Sequence, residues 1–539
     1  MLKVFYNGHI HTPFGRPVSA MAIRGNRVLA LGEDRALLQM VGAERGVAQN
    51  LEGAYVVPGF NDSHCHLLEG GVRLGQIDLT GVSCAEEILS RARAYLRENP
   101  PAPGEWIVGF GFDQNGWKNP QMPTRELADA ISREHPVVLC RVCGHAGVAN
   151  SRALQKTGLD QPREIEGGEI VLGEDGRPNG VLHEKAYYLL TREIPQPRGE
   201  AVDRALRAAM RKANRLGITS AQSDDLGNAP LEELLGAIGR MRERGEMTVR
   251  IFEEALVGSM GELENLFASG MRTGLGDDWF RMGNVKLLTD GSLGAQSAYM
   301  RAPYRTGGQG VLAIGREELK AIARCAKAHS TQLAFHAIGD GALEACIDAV
   351  EAARRPGDKN MRNRIVHCQF ADDALIERMR LTGLCADIQP AFVGSDWPLV
   401  EKLLGPERME MGYRWRSLLE KGIPVAAGSD SPIDEQSPLW GMTCAVARQD
   451  KAGLPQGGFL PSEKLSRRQA LELYTSAGAY LSFDEGRKGM LAPGMLADFA
   501  VLSGDVLSAP IVELPEISVL ATFVDGKICF DRDGRFSDG

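Results

Sequence analysis

The 539-residue chain lacks several features that would place it in a particular class of protein. No stretch approaches the ~18 consecutive apolar residues of a membrane span, and residues 1–15 contain no apolar core of a signal peptide. The net charge of −9 is spread along the chain without a basic run, which argues against a nucleic-acid partner. We therefore expect a cytoplasmic protein with no membrane or nucleic-acid partner.

Cysteine is also too sparse to form a disulfide framework. Ten cysteines are scattered over 539 residues, mostly within apolar segments, which is typical of buried reduced thiols. Cys140 and Cys143 form a C-x-x-C motif, but the preceding Val137-Val138-Leu139 indicates a strand. On a strand the two thiols would face opposite sides, so we expect them to be structural and not to share a metal. The sequence also lacks internal repeats and low-complexity segments.

Both ends of the chain are rich in short β-like runs. Residues 3–6, 20–24 and 27–31 are separated by Asn-Gly and Gly-Asn turns, and residues 497–502, 517–524 and 527–530 have the same character. This pattern predicts one small β-sandwich domain made from both termini, with the bounds 1–57 and 485–539.

The middle of the chain alternates short apolar strands with amphipathic helices. We predict eight strands, at 55–60, 218–222, 249–255, 283–288, 332–336, 364–367, 384–388 and 424–427. Helical periodicity occupies most of the intervals, for example 231–244, 316–329, 341–353 and 372–381. The fold class is therefore α/β: a (β/α)8 TIM-like barrel over 58–484, in which catalytic residues are expected at the carboxyl ends of the strands.

One interval is far too long for a βα unit. Residues 69–196 separate the first two strands and carry a helix at 85–96 and strands at 106–110 and 136–142 of their own. An insertion at a strand's carboxyl end lies on the active-site side of a barrel. We interpret it as a lid or substrate-recognition subdomain, with a scaffold or oligomerisation role as the alternative.

His64 and His66 come at the end of the first apolar segment, in a stretch that begins at Val56. Alternate residues of a strand share a face, so both imidazoles could bind one metal ion. With 10 histidines among 539 residues, chance supplies about 0.2 such pairs, so the pair needs support from elsewhere in the chain.

That support comes from the other strand ends. Lys286 lies near the end of the fourth strand, His336 and His367 end the fifth and sixth, and Asp430 follows the eighth. A lone histidine after an apolar run is usually a core residue, but independent core histidines have no reason to recur at the same end of several strands. Imidazole and carboxylate ligands suit Zn²⁺, and also Fe, Mn or Co. Such an ion lowers the pKa of bound water toward ~7, and an aspartate beside that water can act as general base and acid.

Six segments resemble the amidohydrolase superfamily of metal-dependent hydrolases. The similarity is greatest to the branch that has a long insertion after the first strand and includes N-substituted formamide deformylase-like enzymes. The segments are PGFNDSHCH (58–66), VKLLTDGSLG (285–294), HAIGDGA (336–342), VHCQ (366–369), GSDSP (428–432) and GMLAPGMLAD (489–498).

The resemblance implies a role for each matched residue. His64 and His66 would bind the more buried metal, His336 and His367 the second, and Asp430 would be both a ligand and the general base and acid. Lys286 would be carboxylated and bridge two metals. From the residues alone, a single-metal site with an unmodified Lys286 stays open, with Glu184 or Cys65 as substitute ligands.

The implied reaction is hydrolysis of a C–N bond in an amide, N-formyl or cyclic amide small molecule. The alternatives are a deaminase, a C–O ester or lactone hydrolase on the same site, and a non-catalytic metal or ligand binder. Asp113 and Trp117 in a glycine-rich aromatic loop, His145 after a strand and Asp290 near Lys286 are candidate substrate contacts, with His145 also a candidate catalytic residue. The sequence leaves the oligomeric state open, with a homodimer as the candidate.

Overall fold

The computed structural model describes residues 1–13, 15–142, 144–355, 357–358 and 360–536, and all of their side chains except that of Glu44. Cys143 of the C-x-x-C motif lies outside the described residues. The chain divides into two units, of which the first contains residues 1–68 and 209–539 and the second contains residues 69–208. No helix in the described ranges has the length and apolarity that crossing a membrane requires.

The described residues form strands and helices throughout the chain. The strands are β1 Leu2–Tyr6, β2 His9–Ile10, β3 Ala20–Arg24, β4 Arg27–Gly32, β5 Val47–Asn50, β6 Tyr55–Pro58, β7 Phe60–Cys65, β8 Ile77–Asp78, β9 Ile107–Phe112, β10 Val137–Arg141, β11 Ala146–Ala149, β12 Gly168–Leu172, β13 Pro178–Glu184, β14 Ile218–Ser223, β15 Arg250–Leu256, β16 Phe280–Leu288, β17 Leu333–Ala337, β18 Arg364–His367, β19 Cys385–Ile388, β20 Val425–Ala427, β21 Phe499–Leu502, β22 Val519–Val524 and β23 Lys527–Asp531. The α-helices are α1 Asp34–Glu44, α2 Leu67–Leu74, α3 Ala85–Glu98, α4 Arg125–Ile131, α5 Ser151–Thr157, α6 Lys185–Thr191, α7 Glu200–Arg215, α8 Leu231–Glu243, α9 Met260–Ala268, α10 Arg316–Ala328, α11 Asp340–Ala353, α12 Asp373–Thr382, α13 Phe392–Leu404, α14 Pro406–Met409, α15 Trp415–Glu420, α16 Pro438–Ala447, α17 Arg467–Leu473 and α18 Ser476–Leu481. Short 3₁₀ turns occupy Gln114–Gly116, Pro461–Glu463 and Ile511–Glu516.

Strands from both ends of the chain form two small sheets in the first unit. One sheet has the order β4-β3-β1-β5 and the other β2-β6-β21-β22-β23. Their apolar side chains share one core, in which the ring of Phe5 packs edge-on against Phe499 and Phe523, with centroids 5.1 Å apart in each pair. The predicted β-sandwich made from both termini is confirmed.

Eight parallel strands form the barrel of the first unit, in the order β20-β19-β18-β17-β16-β15-β14-β7. Residues of β7, β14 and β20 are buried along their whole length, as expected for parallel strands covered on both faces. The barrel closes just beyond β20, where Asp430 N–H donates to His64 O (2.8 Å) and His66 N–H donates to Ser431 O (2.8 Å). A Cβ at Gly428 would collide with the backbone of His64, so glycine permits this approach.

The prediction of the first barrel strand at 55–60 is wrong. Tyr55–Pro58 belongs to the five-stranded sheet, where Val57 pairs with Ala500, and the barrel strand is Phe60–Cys65. Gly59 separates the two, and a Cβ there would clash with the side chain of Thr219. A continuous apolar run does not reveal that the chain changes sheets at a glycine. The other seven strand predictions are confirmed to within a few residues.

The second unit, residues 69–208, has its own sheet of order β12-β13-β11-β10-β9-β8. Helices α3 and α4 contribute to an apolar core with one set of its strand residues, and α5 and α6 to another. The described part of this unit therefore has a sheet and apolar cores of its own. Its role as a lid or substrate subdomain stays a prediction, as do the domain bounds given above.

We predict that Arg250 contributes strongly to the stability of the first unit. Its guanidinium binds Asp498 through two contacts (2.6 and 3.0 Å) and Asp525 through one (3.0 Å), and the Arg250 and Asp498 side chains are each only 4% exposed. Arg250→Met leaves Asp498 buried without its partner and should lower the free energy of unfolding by about 3–5 kcal/mol in urea denaturation. The control is Arg416→Met, in an exposed pair with Glu420, where we expect about 0–1 kcal/mol. Equal effects of the two variants would contradict this prediction.

Candidate functional site

The carboxyl ends of five barrel strands bring the predicted residues into one buried cluster. His64 is on β7, with His66 just after it, Lys286 is on β16, His336 on β17, His367 on β18, and Asp430 follows β20. Because all eight strands are parallel, these ends meet at the same side of the barrel. His64 and Lys286 are each 1% exposed, His367 is 5% and Asp430 is 6%.

The first half of the cluster converges on one carboxylate oxygen. Asp430 Oδ1 lies 3.1 Å from His66 Nε2 and 3.3 Å from His64 Nε2. Among the described residues, His64, His66 and Asp430 are the group of three whose ligand atoms lie within 4.8 Å of one another. Each imidazole also has its Nδ1 fixed, because His64 donates to Glu254 Oε2 (2.7 Å) and His66 donates to Asp224 O (3.1 Å). Both Nε2 atoms therefore face the same point, as metal-binding histidines do.

The second half places two imidazole nitrogens face to face. His336 Nδ1 and His367 Nε2 are 2.9 Å apart. The other nitrogen of each ring is a donor, since His336 Nε2–H faces Gly291 O (3.2 Å) and His367 Nδ1–H donates to Gln389 Oε1 (2.7 Å). The facing nitrogens therefore carry lone pairs that repel one another unless a cation lies beside them. This arrangement fits a second metal position.

The pKa values of the cluster also suit metal binding. Burial, with a smaller contribution from the charge of Lys286, lowers the pKa of His336 to about 4. Burial and then His336 hold the pKa of His367 well below its ordinary value. Burial alone would raise the pKa of Asp430, but hydrogen bonds from His64 and His66 hold it well below its usual range. At neutral pH the site therefore presents neutral imidazoles at His336 and His367 and an ionised carboxylate, which are the forms that bind metal ions.

The contact between His66 and Asp430 favours positive charge on the imidazole. Burial lowers the pKa of His66, but the hydrogen bond to Asp430 and the charge of Asp430 outweigh this effect and raise the pKa to about 9. A carboxylate in contact with two imidazoles thus favours positive charge between them. A divalent cation satisfies the same requirement.

The backbone is also unusual at the cluster. Asp430 has φ +57° and His367 has φ +72°, in the left-handed region that costs a non-glycine residue energy. Both residues lie shortly after or at the end of a barrel strand. Surrounding structure holds them in these conformations, which aim their side chains into the site.

Lys286 lies within the cluster, with Nζ 2.8 Å from His64 Nε2 and 3.9 Å from Glu254 Oε2. Its side chain is therefore close enough to share a metal with His64. Cys65, a substitute ligand in the sequence analysis, is buried with Sγ 3.7 Å from Gln222 O. It is not part of the group of three ligand residues.

Asp290 holds the loop beside His336. Its carboxylate accepts the backbone N–H groups of Tyr299 (3.0 Å), Ile338 (3.1 Å) and Gly339 (2.8 Å). One of its oxygens lies 3.5 Å from His336 Nε2. Burial raises the pKa of Asp290 to about 7. These contacts assign Asp290 a loop-supporting role, and its predicted contact with substrate stays a prediction.

The other predicted substrate residues belong to the second unit. His145 Nδ1 lies 2.5 Å from the Tyr188 hydroxyl and 3.5 Å from Glu184, which was a substitute-ligand candidate. Asp113 is paired with Arg141 (2.6 Å). Trp117 is only 8% exposed and donates its indole N–H to Val82 O (2.7 Å) within the apolar core of the unit. The substrate-contact roles of His145, Asp113 and Trp117 stay predictions.

The sequence analysis missed a set of buried charges that contact the candidate metal ligands. Glu254, Arg364 and Asp387 are each 0% exposed, and Arg364 contacts both carboxylates at 2.8 and 2.9 Å. Some signal was present, because Glu253-Glu254 interrupts an apolar strand and Arg364 begins another. A charged side chain in a barrel interior must be paired with an opposite charge. The partners here come from strands distant in sequence, so the sequence does not identify them.

The sequence profile of the amidohydrolase family matches this chain over residues 48–530. The chain belongs to the amidohydrolase family. The members of this family use divalent metals and act on small molecules, and the buried cluster at the carboxyl ends of the strands lies within the matched residues. The resemblance to the amidohydrolase superfamily and the predicted barrel fold are both confirmed.

Two relatives align along nearly the whole length of this chain. It is 32% identical to "Putative amidohydrolase YtcJ" of Bacillus subtilis (strain 168), covering 99% of this chain and 100% of that protein. It is 27% identical to the N-substituted formamide deformylase of Arthrobacter pascens, covering 98% of each chain. Among solved structures, an uncharacterized metal-dependent hydrolase from Pyrococcus furiosus superposes with a TM-score of 0.78 at 28% identity, covering 94% of this chain and 100% of that one.

Proposed function

We propose that this amidohydrolase cleaves a C–N bond in an amide, N-formyl or cyclic amide small molecule. Asp430 would be the general base and acid. The observation that carries the proposal is the position of Asp430, whose ionised carboxylate touches both His64 and His66 at the carboxyl end of the barrel.

The residues present fit divalent metal ions. His64, His66 and Asp430 would hold one ion, and His336 and His367 another, with zinc as the proposed metal and Fe, Mn or Co acceptable to the same ligands. Lys286, carboxylated on Nζ, would bridge the two positions. Its closeness to His64 Nε2 (2.8 Å) supports this assignment.

A divalent ion bound there activates water and polarises the scissile carbonyl. The chain's own contribution is proton transfer. Asp430 accepts a proton from the attacking water as the new C–O bond forms, and delivers it to the nitrogen as the C–N bond breaks. An aspartate whose pKa is held well below its usual range is ionised before the reaction and can therefore accept this proton.

Preference for a C–N bond rests on similarity to a protein with a defined substrate class. The relative from Arthrobacter pascens is an N-substituted formamide deformylase, and its alignment covers 98% of this chain. At 27% identity the reaction type transfers more readily than the substituent on nitrogen.

A substrate panel tests the proposal directly. The zinc-loaded enzyme would be assayed against N-formyl amines, N-acyl amines and cyclic amides, in parallel with matched esters, lactones and amino-substituted heterocycles. We expect turnover of at least one amide class, detected as released amine or carboxylate. Turnover confined to esters and lactones, or release of ammonia from a heterocycle alone, would overturn the assignment.

A further inference from the structure

Glu253 and Glu254 are consecutive buried carboxylates near the carboxyl end of β15, and both are 0% exposed. Side chains of consecutive strand residues point to opposite faces. Glu253 accepts the backbone N–H of Asp225 (3.1 Å), whereas Glu254 contacts the metal-ligand cluster. Two chemically identical side chains thus have different surroundings.

Glu254 contacts four side chains from three other barrel strands. Its Oε2 accepts from His64 Nδ1 (2.7 Å) and lies 3.9 Å from Lys286 Nζ. Its Oε1 lies 3.0 Å from Asn284 Nδ2 and 2.8 Å from Arg364 Nη2. Asn284 and Lys286 both come from β16, while His64 and Arg364 come from β7 and β18.

The position of the Glu254 carboxylate is therefore fixed by contacts from three other strands of the barrel. We propose that Glu254 is a positioning residue for the metal centre: it fixes His64 in the tautomer and orientation that direct Nε2 at the metal, and Arg364 holds Glu254 in place to do so. The proposal rests on the function proposed above. It concerns the metal site and not the bond cleaved.

The surroundings exclude a direct role in proton transfer. Both Glu254 oxygens are engaged, and the side chain is fully buried below His64. A general base needs an oxygen within hydrogen-bond reach of substrate or attacking water. Glu254 therefore acts through His64, as carboxylates behind metal-bound histidines do.

Arg364 connects Glu254 to β7, the strand that carries His64. Besides Glu254, its guanidinium binds Asp387 Oδ2 (2.9 Å) and Gln222 Oε1 (2.8 Å). Asp387 Oδ1 in turn accepts from the hydroxyl of Ser63 (2.6 Å), the residue before His64. His64 is thus held through its ring by Glu254 and through its neighbour by Asp387.

The test measures metal affinity, which requires no substrate. In Glu254→Gln the side chain keeps its size but loses the charge, and we expect the affinity for Zn²⁺ to fall about 10–100-fold, measured by competition with a chromophoric chelator. The matched control is Glu253→Gln on the same strand. Burial raises the pKa of Glu253 well above its usual value, so glutamine resembles its neutral form and the affinity should stay within about threefold.

The outcomes are distinct. Wild-type affinity in Glu254→Gln, or an equal loss in Glu253→Gln, would overturn the proposal. Glu254→Gln also removes one of the two carboxylates that pair with Arg364. If the variant does not fold for this reason, a measurement on the wild type still tests the proposal. Histidine-¹⁵N spectra of the metal-free protein should show the His64 proton on Nδ1, and a proton on Nε2 alone would contradict the proposal without any variant. None of these readouts depends on the substrate panel, so the two proposals can fail separately.

Discussion

Asp430→Asn is expected to lower kcat by about 10²–10⁴-fold on any substrate that the wild type hydrolyses. The amide cannot accept the proton from water at neutral pH, whereas the carboxylate, with its pKa held well below the usual range, can. Asparagine is also suited to the backbone there, because it tolerates the left-handed conformation that Asp430 adopts at φ +57°. The measurement is steady-state kinetics of both proteins at saturating metal.

The matched control is Asp525→Asn. Asp525 has nearly the same backbone conformation, with φ +58°, but lies in the turn between β22 and β23, where it contacts Arg250. We expect its kcat to stay within about twofold of the wild type, since a substitution in a turn outside the site seldom affects the chemistry. If Asp430→Asn retained turnover comparable to that of Asp525→Asn, Asp430 would not be the general base and acid.

Complete removal of metal is expected to abolish turnover. His336 Nδ1 and His367 Nε2 face one another at 2.9 Å, and Asp430 Oδ1 contacts both His64 and His66, so the groups proposed to hold metal lie together. Polarisation of the substrate carbonyl is the contribution expected from the metal, so activity should fall to background after dialysis against a chelator. It should return when Zn²⁺, Mn²⁺ or Co²⁺ is added. Turnover that persists in protein shown by elemental analysis to be metal-free would contradict the mechanism.

Metal content also tests the role of Lys286. With Lys286 carboxylated, the reconstituted protein should hold about two ions per chain, and its intact mass under native conditions should exceed the sequence mass by one carboxyl group plus the metals. Lys286→Met should lose the extra carboxyl group and bind about one ion fewer. One ion per chain in the wild type, with no added mass on Lys286, would favour the single-metal site with an unmodified lysine.

The sequence determined the barrel and most of the candidate metal ligands for a local reason. Parallel barrel strands are buried on both faces, so each appears as an apolar run, and a polar residue at its end stands out. His336, His367 and Asp430 follow such runs closely, and Lys286 lies within one. Their convergence follows from parallel topology alone, which places all carboxyl ends on one side.

The sequence could not locate the change of sheet at Gly59, nor the partners of the buried charges. Val56, Val57 and Phe60 form one apolar run, and only the pairing of Pro58 with Phe499 and of Phe60 with Ile218 divides it between two sheets. Glu254, Arg364 and Asp387 meet because strands far apart in sequence close into a ring. Local pattern therefore indicated which residues are candidate metal ligands. Tertiary structure alone decided that Nε2 of His64 faces Asp430, because its Nδ1 is engaged by a carboxylate 190 residues away.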